Sequence, residues 1–149
     1  MSKREVVFVD GVRTALGKMG GALRDITAEE LGGIGIKGLI EKTKIHEKAQ
    51  VDSVLLGAGW HCSRAINPAR WASLYAGLPY ETSASFVEMQ CGSGIDSINH
   101  AAWKILCGQA DIIIAGAMEF WSQCTVKIFD KFTALQVYSS GGLCAVVIP

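Results

Sequence analysis

The residue in this sequence best suited to chemistry is a cysteine that is closely followed by two glycines. Residues 84–87 form a short apolar run of strand-like composition, and from Ile95 onward apolar residues recur at the spacing of an amphipathic helix. We therefore expect Cys91 at a corner between a strand and a helix, where backbone N–H groups and the helix dipole favour the thiolate form. Gly92 and Gly94 leave the backbone open to a substrate carbonyl and to amide donors for an oxyanion. The spacing predicts a cysteine nucleophile; the alternative is an inert, buried cysteine between turn glycines.

The letters around this cysteine resemble a known enzyme family. The run 91–94 (Cys-Gly-Ser-Gly), followed by a helix and by residues 108–119, closely resembles the first active-site block of the thiolases. Residues 116–122 resemble the family's Gly-Gly-Met-Glu-Ser-Met-Ser, with Ala117 in place of a glycine and Phe120-Trp121 in place of smaller residues. Thiolases make or break a carbon-carbon bond between acyl groups carried on coenzyme A. The resemblance implies an acyltransferase that uses coenzyme A thioesters as substrates and binds no cofactor covalently. It assigns catalysis to Cys91 and substrate contacts to Gly92, Ser93, Gly94 and Met118, with Ser93 also shaping the turn. An alternative function is that of a condensing enzyme of the ketoacyl-synthase type. Such enzymes share the layered fold but not this cysteine motif, so Cys-Gly-Ser-Gly favours a thiolase.

Composition limits the class of protein. Half of the 149 residues are hydrophobic and 19% are charged, which predicts one globular domain with a core of ordinary size. Fourteen basic and fourteen acidic side chains cancel, so nucleic acid and an anionic membrane surface are poor candidate partners. No apolar stretch approaches the roughly 18 residues of a membrane span, and no hydrophobic signal core follows the charged run at 3–5. We therefore expect a cytoplasmic protein without a membrane partner.

The other cysteines favour the same compartment. The five cysteines are odd in number and form no Cys-x-x-Cys pair, which argues against a disulfide framework and against a zinc site. His61 and Cys62 lie side by side, yet a structural zinc needs four ligands, so no metal site is expected there. A reducing cytosol suits this pattern.

Periodicity and turn residues predict alternating strands and helices. The expected strands are Glu5–Val9 (closed by a turn at Asp10-Gly11), Val51–Gly57, 84–87, Asp111–Gly116 and 141–148. The expected helices run from Ala28 to Thr43 behind a capping box at Thr27, from Pro68 behind Asn67, and from Cys91 to about Cys107. The fold class is α/β, and the resemblance implies a layered thiolase-like N-terminal half. Its mixed, mostly parallel sheet of about five strands is flanked by helices.

Apolar spacing also predicts the buried side of each helix. The expected apolar faces are Leu31, Ile34, Leu39 and Ile40 on the first helix and Ile95, Ile98, Ala102 and Ile105 on the last. The glycines of the first helix predict close packing on a neighbour. Asp96, His100 and Lys104 are expected to face solvent, with His100 roughly 13 Å along the helix from Cys91 and too far to act as its base. Cys107 is expected to be a packed side chain.

The helix behind Asn67 carries Trp71, Leu74 and Tyr75, for which two interpretations stay open. They pack into the core, or they are exposed. In the thiolases the corresponding helix lies near the subunit interface, so an exposed aromatic would indicate a dimer surface.

The resemblance also divides the chain. Residues 1–122 correspond to the thiolase-like N-terminal core, 123–140 to a shortened remnant of the loop domain, and 141–149 to the closing strand of the same core. The family's C-terminal half carries a histidine that activates the nucleophile and a second cysteine that moves a proton, and this sequence has no Gly-His-Pro segment. Glu88 replaces the usual asparagine, and a buried carboxylate there would oppose the thiolate.

These features imply association. We expect a homo-oligomer or pairing with a complementing chain, because half of a two-half fold exposes the face that packs against its twin. The alternative function is that of a non-catalytic thiolase-like half-protein acting as a partner subunit.

Overall fold

A computed structural model describes residues 4–61, 63 and 65–122, together with the backbone of strand 139–148. Its elements are β1 (Val7–Arg13), β2 (Gly17–Lys18), α1 (Ala28–Thr43), α2 (Ile45–Lys48), β3 (Ser53–Gly57), α3 (Pro68–Tyr75), β4 (Ser83–Val87), α4 (Ser93–Leu106), β5 (Ile113–Glu119) and β6 (Ser139–Ile148). The expected α/β class is confirmed.

The sheet follows the order β1-β6-β5-β3-β4, and β2 pairs with β6. Strand β3 is parallel to both β4 and β5, whereas β6 is antiparallel to β1, β2 and β5. Every strand except β6 therefore runs in the same direction, as expected for a mixed, mostly parallel sheet. Because β3, β4 and β5 are parallel, their carboxyl ends meet at one edge, and the loops that follow them lie together there.

Helices cover both faces of the sheet. On one face, α1 and α3 pack against Val54, Leu56, Ile114 and Met118. On the other face, α4 contributes Ala101 and Ile105 to a second cluster with Leu55, Ile113 and Ala115. The alternation of these strand residues between two clusters is that of strands buried on both faces.

Helix α1 has the bounds and the capping box that the sequence predicts. Its buried side differs, because Ile36 is fully buried whereas Ile34 is 42% exposed. The predicted close packing is confirmed at Gly32 and Gly33. A Cβ on Gly32 would lie 2.8 Å from Met118 Sδ, and one on Gly33 would lie 2.5 Å from the Tyr75 ring. The glycines let α1 approach α3 and the sheet closely, and that contact selects its buried face.

The predicted turn at Asp10-Gly11 is wrong. Strand β1 continues through both residues to Arg13 and pairs with β6. The pairing shifts register between Phe8 and Asp10, which is the irregularity of a bulge. Long-range pairing with β6 therefore overrides the local turn preference of Asp-Gly.

The helix α4 is confirmed, but its predicted buried face is only partly right: Ile105 is buried and Ile98 packs against the same cluster, whereas Ile95 does not. Ser93, Ser97, Ala101 and Ile105 are buried, whereas Ile95 is 68% exposed. The small hydroxyl side chains lie closest to the sheet, where Ser97 Oγ is 2.7 Å from the Gly116 carbonyl oxygen. In the first turns of α4, buried hydroxyls that find carbonyl partners take the place that the periodicity assigns to Ile95.

At the far end of α4, Cys107 is exposed rather than packed. It is the C-cap residue, followed by Gly108 at φ +71°, which is the glycine termination that the sequence predicts. The thiol is therefore exposed at the point where the helix ends.

Helix α3 begins as predicted, with the Asn67 side chain accepting from the Arg70 backbone N–H. Its aromatic side is exposed rather than part of the core. Trp71 and Tyr75 stack with ring centroids 5.1 Å apart and are 40% and 48% exposed. The alternative of an exposed aromatic face is the one that the structure shows.

The segment predicted as a loop-domain remnant, 123–140, lies outside the described residues except for Ser139 and Ser140, which begin β6. In the described part of the chain, no helix has the length and apolar character needed to cross a membrane.

Candidate active site

The corner between β4 and α4 carries Cys91. Strand β4 ends at Val87, and α4 starts at Ser93. Between them the chain turns tightly: Gly92 N donates to Met89 O and Ser93 N to Gln90 O, each at 3.1 Å. Gln90 has φ +51°, a left-handed conformation that is uncommon outside glycine. The strand-to-helix corner predicted for Cys91 is therefore confirmed.

The thiol of Cys91 is exposed beside an open helix terminus. The N-cap of α4 is Gly92, and no side chain makes a cap hydrogen bond there. The N–H groups of a first helical turn have no partner within the helix, and the dipole makes this end positive. A nucleophile at this corner can thus present an oxyanion to backbone donors, and the alternative of a buried cysteine does not hold.

Ser93 connects the backbone segments of this corner through hydrogen bonds. Its side chain is 1% exposed, and its Oγ lies 2.7 Å from Met89 N, 2.7 Å from Gln90 O and 2.8 Å from Ala58 O. The hydroxyl accepts from the Met89 amide and has carbonyl oxygens to receive its own proton. Ser93 therefore ties the turn before Cys91 to the loop after β3, which is the turn-shaping position expected for it.

The glycines near Cys91 are sites of close approach. A Cβ on Gly94 would lie 2.9 Å from the Ala117 Cβ, and one on Gly92 would lie 2.7 Å from the terminal methyl of Met89. On strand β3, a Cβ on Gly57 would collide with the carbonyl of Ser93, the first residue of α4. Gly94 and Gly57 thus allow the start of α4 to sit directly on β5 and β3.

Met118 is separated from this corner. It is fully buried in the cluster that α1 and α3 form, on the face of the sheet opposite α4. Its neighbour Phe120 is 2% exposed in the same cluster, so the bulky residue at that position fills the core. The substrate contact expected of Met118 stays a prediction.

Two carboxylates lie near the same edge of the sheet, and only one of them was anticipated. Glu88 is exposed, so the predicted buried carboxylate beside the thiolate is wrong: β4 is an edge strand, and the chain emerges into solvent after Val87. Glu119 is half-buried, and its Oε2 accepts from Gly59 N at 2.6 Å. Sequence reasoning missed Glu119, although an acidic residue that ends a buried strand is a signal of an edge carboxylate.

The pKa of the Glu119 carboxyl is raised, chiefly because burial disfavours its charged form. Hydrogen bonds from the backbone of Gly59 and Trp60 and from the Trp121 side chain oppose this rise, and the negative charge of Glu88 adds to it. Trp60 and Trp121 lie side by side, with ring centroids 5.9 Å apart. The loop after β3 and the end of β5 therefore form one polar and aromatic edge.

No three potential metal ligands (His, Cys, Asp or Glu) converge among the described residues. His61 packs its ring 5.2 Å from that of Phe86, and its Nε2 lies 3.1 Å from the Ala65 carbonyl oxygen. Cys62, its neighbour in the sequence, lies outside the described residues.

A cavity of about 350 Å³ lies between α4 and the sheet edge formed by β4. Its lining includes Val87, His100, Trp103 and Cys107 but not Cys91. His100 is also 3.5 Å from Asp96 through its Nδ1 atom and meets Trp103 edge to face. This cavity is distinct from the corner that carries the exposed nucleophile.

Comparisons with known proteins place this geometry in a family. The sequence profile described as "Thiolase, N-terminal domain" matches residues 6–140. An acetyl-CoA acetyltransferase of Chromobacterium violaceum is 45% identical over 118 residues, covering 79% of this chain and 30% of that protein. A probable acetyl-CoA acetyltransferase of Escherichia coli is 39% identical over 137 residues, covering 92% of this chain and 35% of that protein.

A solved structure agrees with these sequences. The acetyl-CoA acetyltransferase of Bacillus anthracis superimposes with a TM-score of 0.75 at 29% identity, covering 89% of this chain and 34% of that one. The chain thus spans about a third of the length of the relatives that it matches. Since the profile covers nearly the whole sequence, including the corner with the exposed cysteine, this chain belongs to the thiolase family and corresponds to its N-terminal domain.

Proposed function

We propose that Cys91 accepts an acyl group from an acyl-coenzyme A thioester, as the first step of a thiolase-type acyl transfer. The observation that carries this proposal is the exposed thiol at the uncapped N-terminus of α4, within a domain of the thiolase family. The acyl group then passes to the α-carbon of acetyl-coenzyme A, or the reverse sequence cleaves a 3-ketoacyl-coenzyme A.

The first step uses groups that this corner supplies. The Cys91 sulfur attacks the thioester carbonyl carbon, a new carbon-sulfur bond forms, and the bond to coenzyme A breaks. Coenzyme A leaves as a thiolate and takes a proton from solvent. Ser93 N already donates to Gln90 O, so the N–H groups of Gly94 and Ile95 in the first turn of α4 stabilise the oxyanion in between. The substrate brings its own coenzyme A, so no covalently bound cofactor is required.

The second step needs a base to remove a proton from the attacking acetyl group. The thiolase resemblance assigns that work to a histidine and a second cysteine in the family's C-terminal half, and these 149 residues contain no Gly-His-Pro segment. We therefore assign acyl acceptance to this chain and the carbon-carbon bond step to groups beyond these residues.

Exposed apolar surfaces support association with a partner. Ile95, Trp103 and Leu106 on α4 are each more than half exposed, and Trp71 and Tyr75 on α3 add an aromatic patch. Such surfaces usually mark contacts with protein. We propose a homo-oligomer or a complementing chain in the cytoplasm; a clean monomer by light scattering at micromolar concentration would contradict the association.

The acylation test weighs the intact protein after incubation with acetyl-coenzyme A. We expect the mass of one acetyl group on the wild type, located on the peptide that contains Cys91. Cys91→Ser should remove it, because the alcohol is a far weaker nucleophile at neutral pH. Cys107→Ser is the matched control, since Cys107 is also an exposed free thiol, and it should be acylated like the wild type. A folded wild-type chain that gains no acyl group would refute the assignment and favour a non-catalytic partner subunit.

A further inference from the structure

The residue that links the three strand ends at this edge is Glu119, to which the thiolase resemblance assigns no role. It closes β5, and its carboxylate crosses to the loop after β3, where Oε2 accepts from Gly59 N at 2.6 Å. A hydrogen bond to a carboxylate is short and roughly twice as strong as a neutral one. The carboxylate therefore holds the peptide of Gly59 firmly.

Gly59 in turn lies directly against the turn that carries the nucleophile. A Cβ on Gly59 would lie 3.1 Å from the Gln90 carbonyl oxygen and 3.2 Å from Glu119 Oε2. The peptide thus fits between the carboxylate and Gln90 because it carries no side chain. Gln90 precedes Cys91, and it is the residue in the corner with positive φ. Backbone held in such a conformation persists only where its surroundings enforce it.

A second tie connects the same two segments. Ser93 Oγ lies 2.8 Å from Ala58 O and 2.7 Å from Gln90 O, and Ala58 N donates to Val87 O at 3.1 Å. The loop after β3 is therefore fastened to the nucleophile corner by Ser93 from one side and is held by Glu119 from the other. Ser93 belongs to the corner itself, whereas Glu119 reaches it from a different strand.

We propose that Glu119 is a positioning residue for Cys91: through Gly59 it holds the Gln90–Cys91 peptide in the orientation that presents the thiol at the N-terminus of α4. The raised pKa of its carboxyl fits this arrangement, because it reflects a carboxyl drawn out of solvent to reach Gly59. The inference rests on Cys91 being the nucleophile, but its test requires no acyl transfer.

The test compares two thiols in the same molecule. Cys91 and Cys107 are both exposed, and they lie at opposite ends of α4. Limited alkylation with iodoacetamide, followed by peptide mass spectrometry, gives the ratio of their rates. We expect Glu119→Ala to lower the Cys91 to Cys107 ratio at least about threefold, because small displacements of a reacting group are costly. Glu119→Gln should restore most of the ratio, since its amide oxygen still accepts from Gly59 N.

Two further variants make the result decisive. Glu88→Gln removes an exposed carboxylate at the same edge and should leave the ratio unchanged. Gly59→Ala presses on both Gln90 and Glu119 and should lower the ratio even where Glu119→Ala fails to fold. An unchanged or increased ratio in Gly59→Ala would overturn the proposal. So would an equal change at both cysteines in Glu119→Ala, because that result reports general loosening. Failed acylation with a normal alkylation pattern would contradict the proposed function and leave the positioning role standing.

Discussion

The N-termini of α1 and α4 differ in capping: side chains cap the first, and no side chain caps the second. At α1, Thr27 Oγ1 accepts from Glu30 N at 3.3 Å, and Glu30 Oε2 accepts from Thr27 N at 2.8 Å. At α4, the N-cap is Gly92, no side chain caps the helix, and Cys91 is exposed beside it. A capped terminus stabilises the helix, whereas an open one keeps its donors free for a ligand. The corner before α4 is stabilised instead by the buried hydroxyl of Ser93 and by contacts with β3 and β5.

The largest effect should come from removing that support. Ser93→Ala takes a buried hydroxyl from Met89 N, Ala58 O and Gln90 O. We expect the free energy of unfolding to fall by about 2–3 kcal/mol, because buried polar groups are left without partners. Urea unfolding followed by circular dichroism measures this. A loss no larger than that of Thr27→Ala would contradict the view that α4 depends on Ser93 in place of a cap.

Glycines in the two helices should respond in opposite directions. Gly94→Ala brings a methyl group to 2.9 Å from the Ala117 Cβ, so we expect a loss of about 1–3 kcal/mol from overpacking. Gly38 on α1 has nothing within 4 Å of an added Cβ, and Gly38→Ala should gain about 0.5–1 kcal/mol. Thermal unfolding of the pair tests the comparison. If both variants changed the free energy of unfolding in the same direction, close approach to the sheet would not distinguish Gly94 from Gly38.

The cap of α1 should matter for stability alone. Thr27→Ala removes the acceptor of the capping box, and we expect a loss of about 1 kcal/mol. Because α1 packs on the face of the sheet opposite α4, the alkylation rate of Cys91 should stay at its wild-type value. A changed rate at Cys91 with an unchanged rate at Cys107 would show that the two helix ends are coupled.

The smallest effects concern pH. The raised pKa of Glu119 contributes stability that is complete below the ordinary value of 4.5 and is lost as the pH rises through the raised value. Relative to the wild type, Glu119→Gln should therefore gain melting temperature as the pH increases from about 4 to 8.

Asp10 provides the opposite control near the other end of α1. A hydrogen bond from Lys42 lowers its pKa, and a backbone hydrogen bond from Gly11 adds to this. Its contribution is present above 3.8 and is lost as the pH falls through the lowered value, so Asp10→Asn should differ in pH dependence only in acid. If the melting temperatures of Glu119→Gln and the wild type changed equally between about pH 4 and 8, the raised pKa of Glu119 would be contradicted.

Much of the fold and part of the site were predictable from short-range patterns. The capping box placed α1 at its observed bounds, Asn67 and Pro68 placed the start of α3, and the cysteine-glycine spacing placed Cys91 at the corner. Each of these signals depends on hydrogen bonds between residues within about one helical turn of each other. The thiolase resemblance rests on similarly local motifs.

Only the tertiary structure decided which surfaces meet. The sequence by itself determined where helices begin, since caps and glycine turns are made by neighbours along the chain. The burial of Ser97 instead of Ile95, the course of β1 through Asp10-Gly11, and the contact of Glu119 with Gly59 all depend on strands brought together from distant segments. Helical periodicity identifies the apolar positions of a helix, but it does not show on which side small hydroxyls find carbonyl partners. Which side of α4 faces the sheet depends on the strand order, which places β3 between β4 and β5 and brings the ends of these three strands together near Cys91.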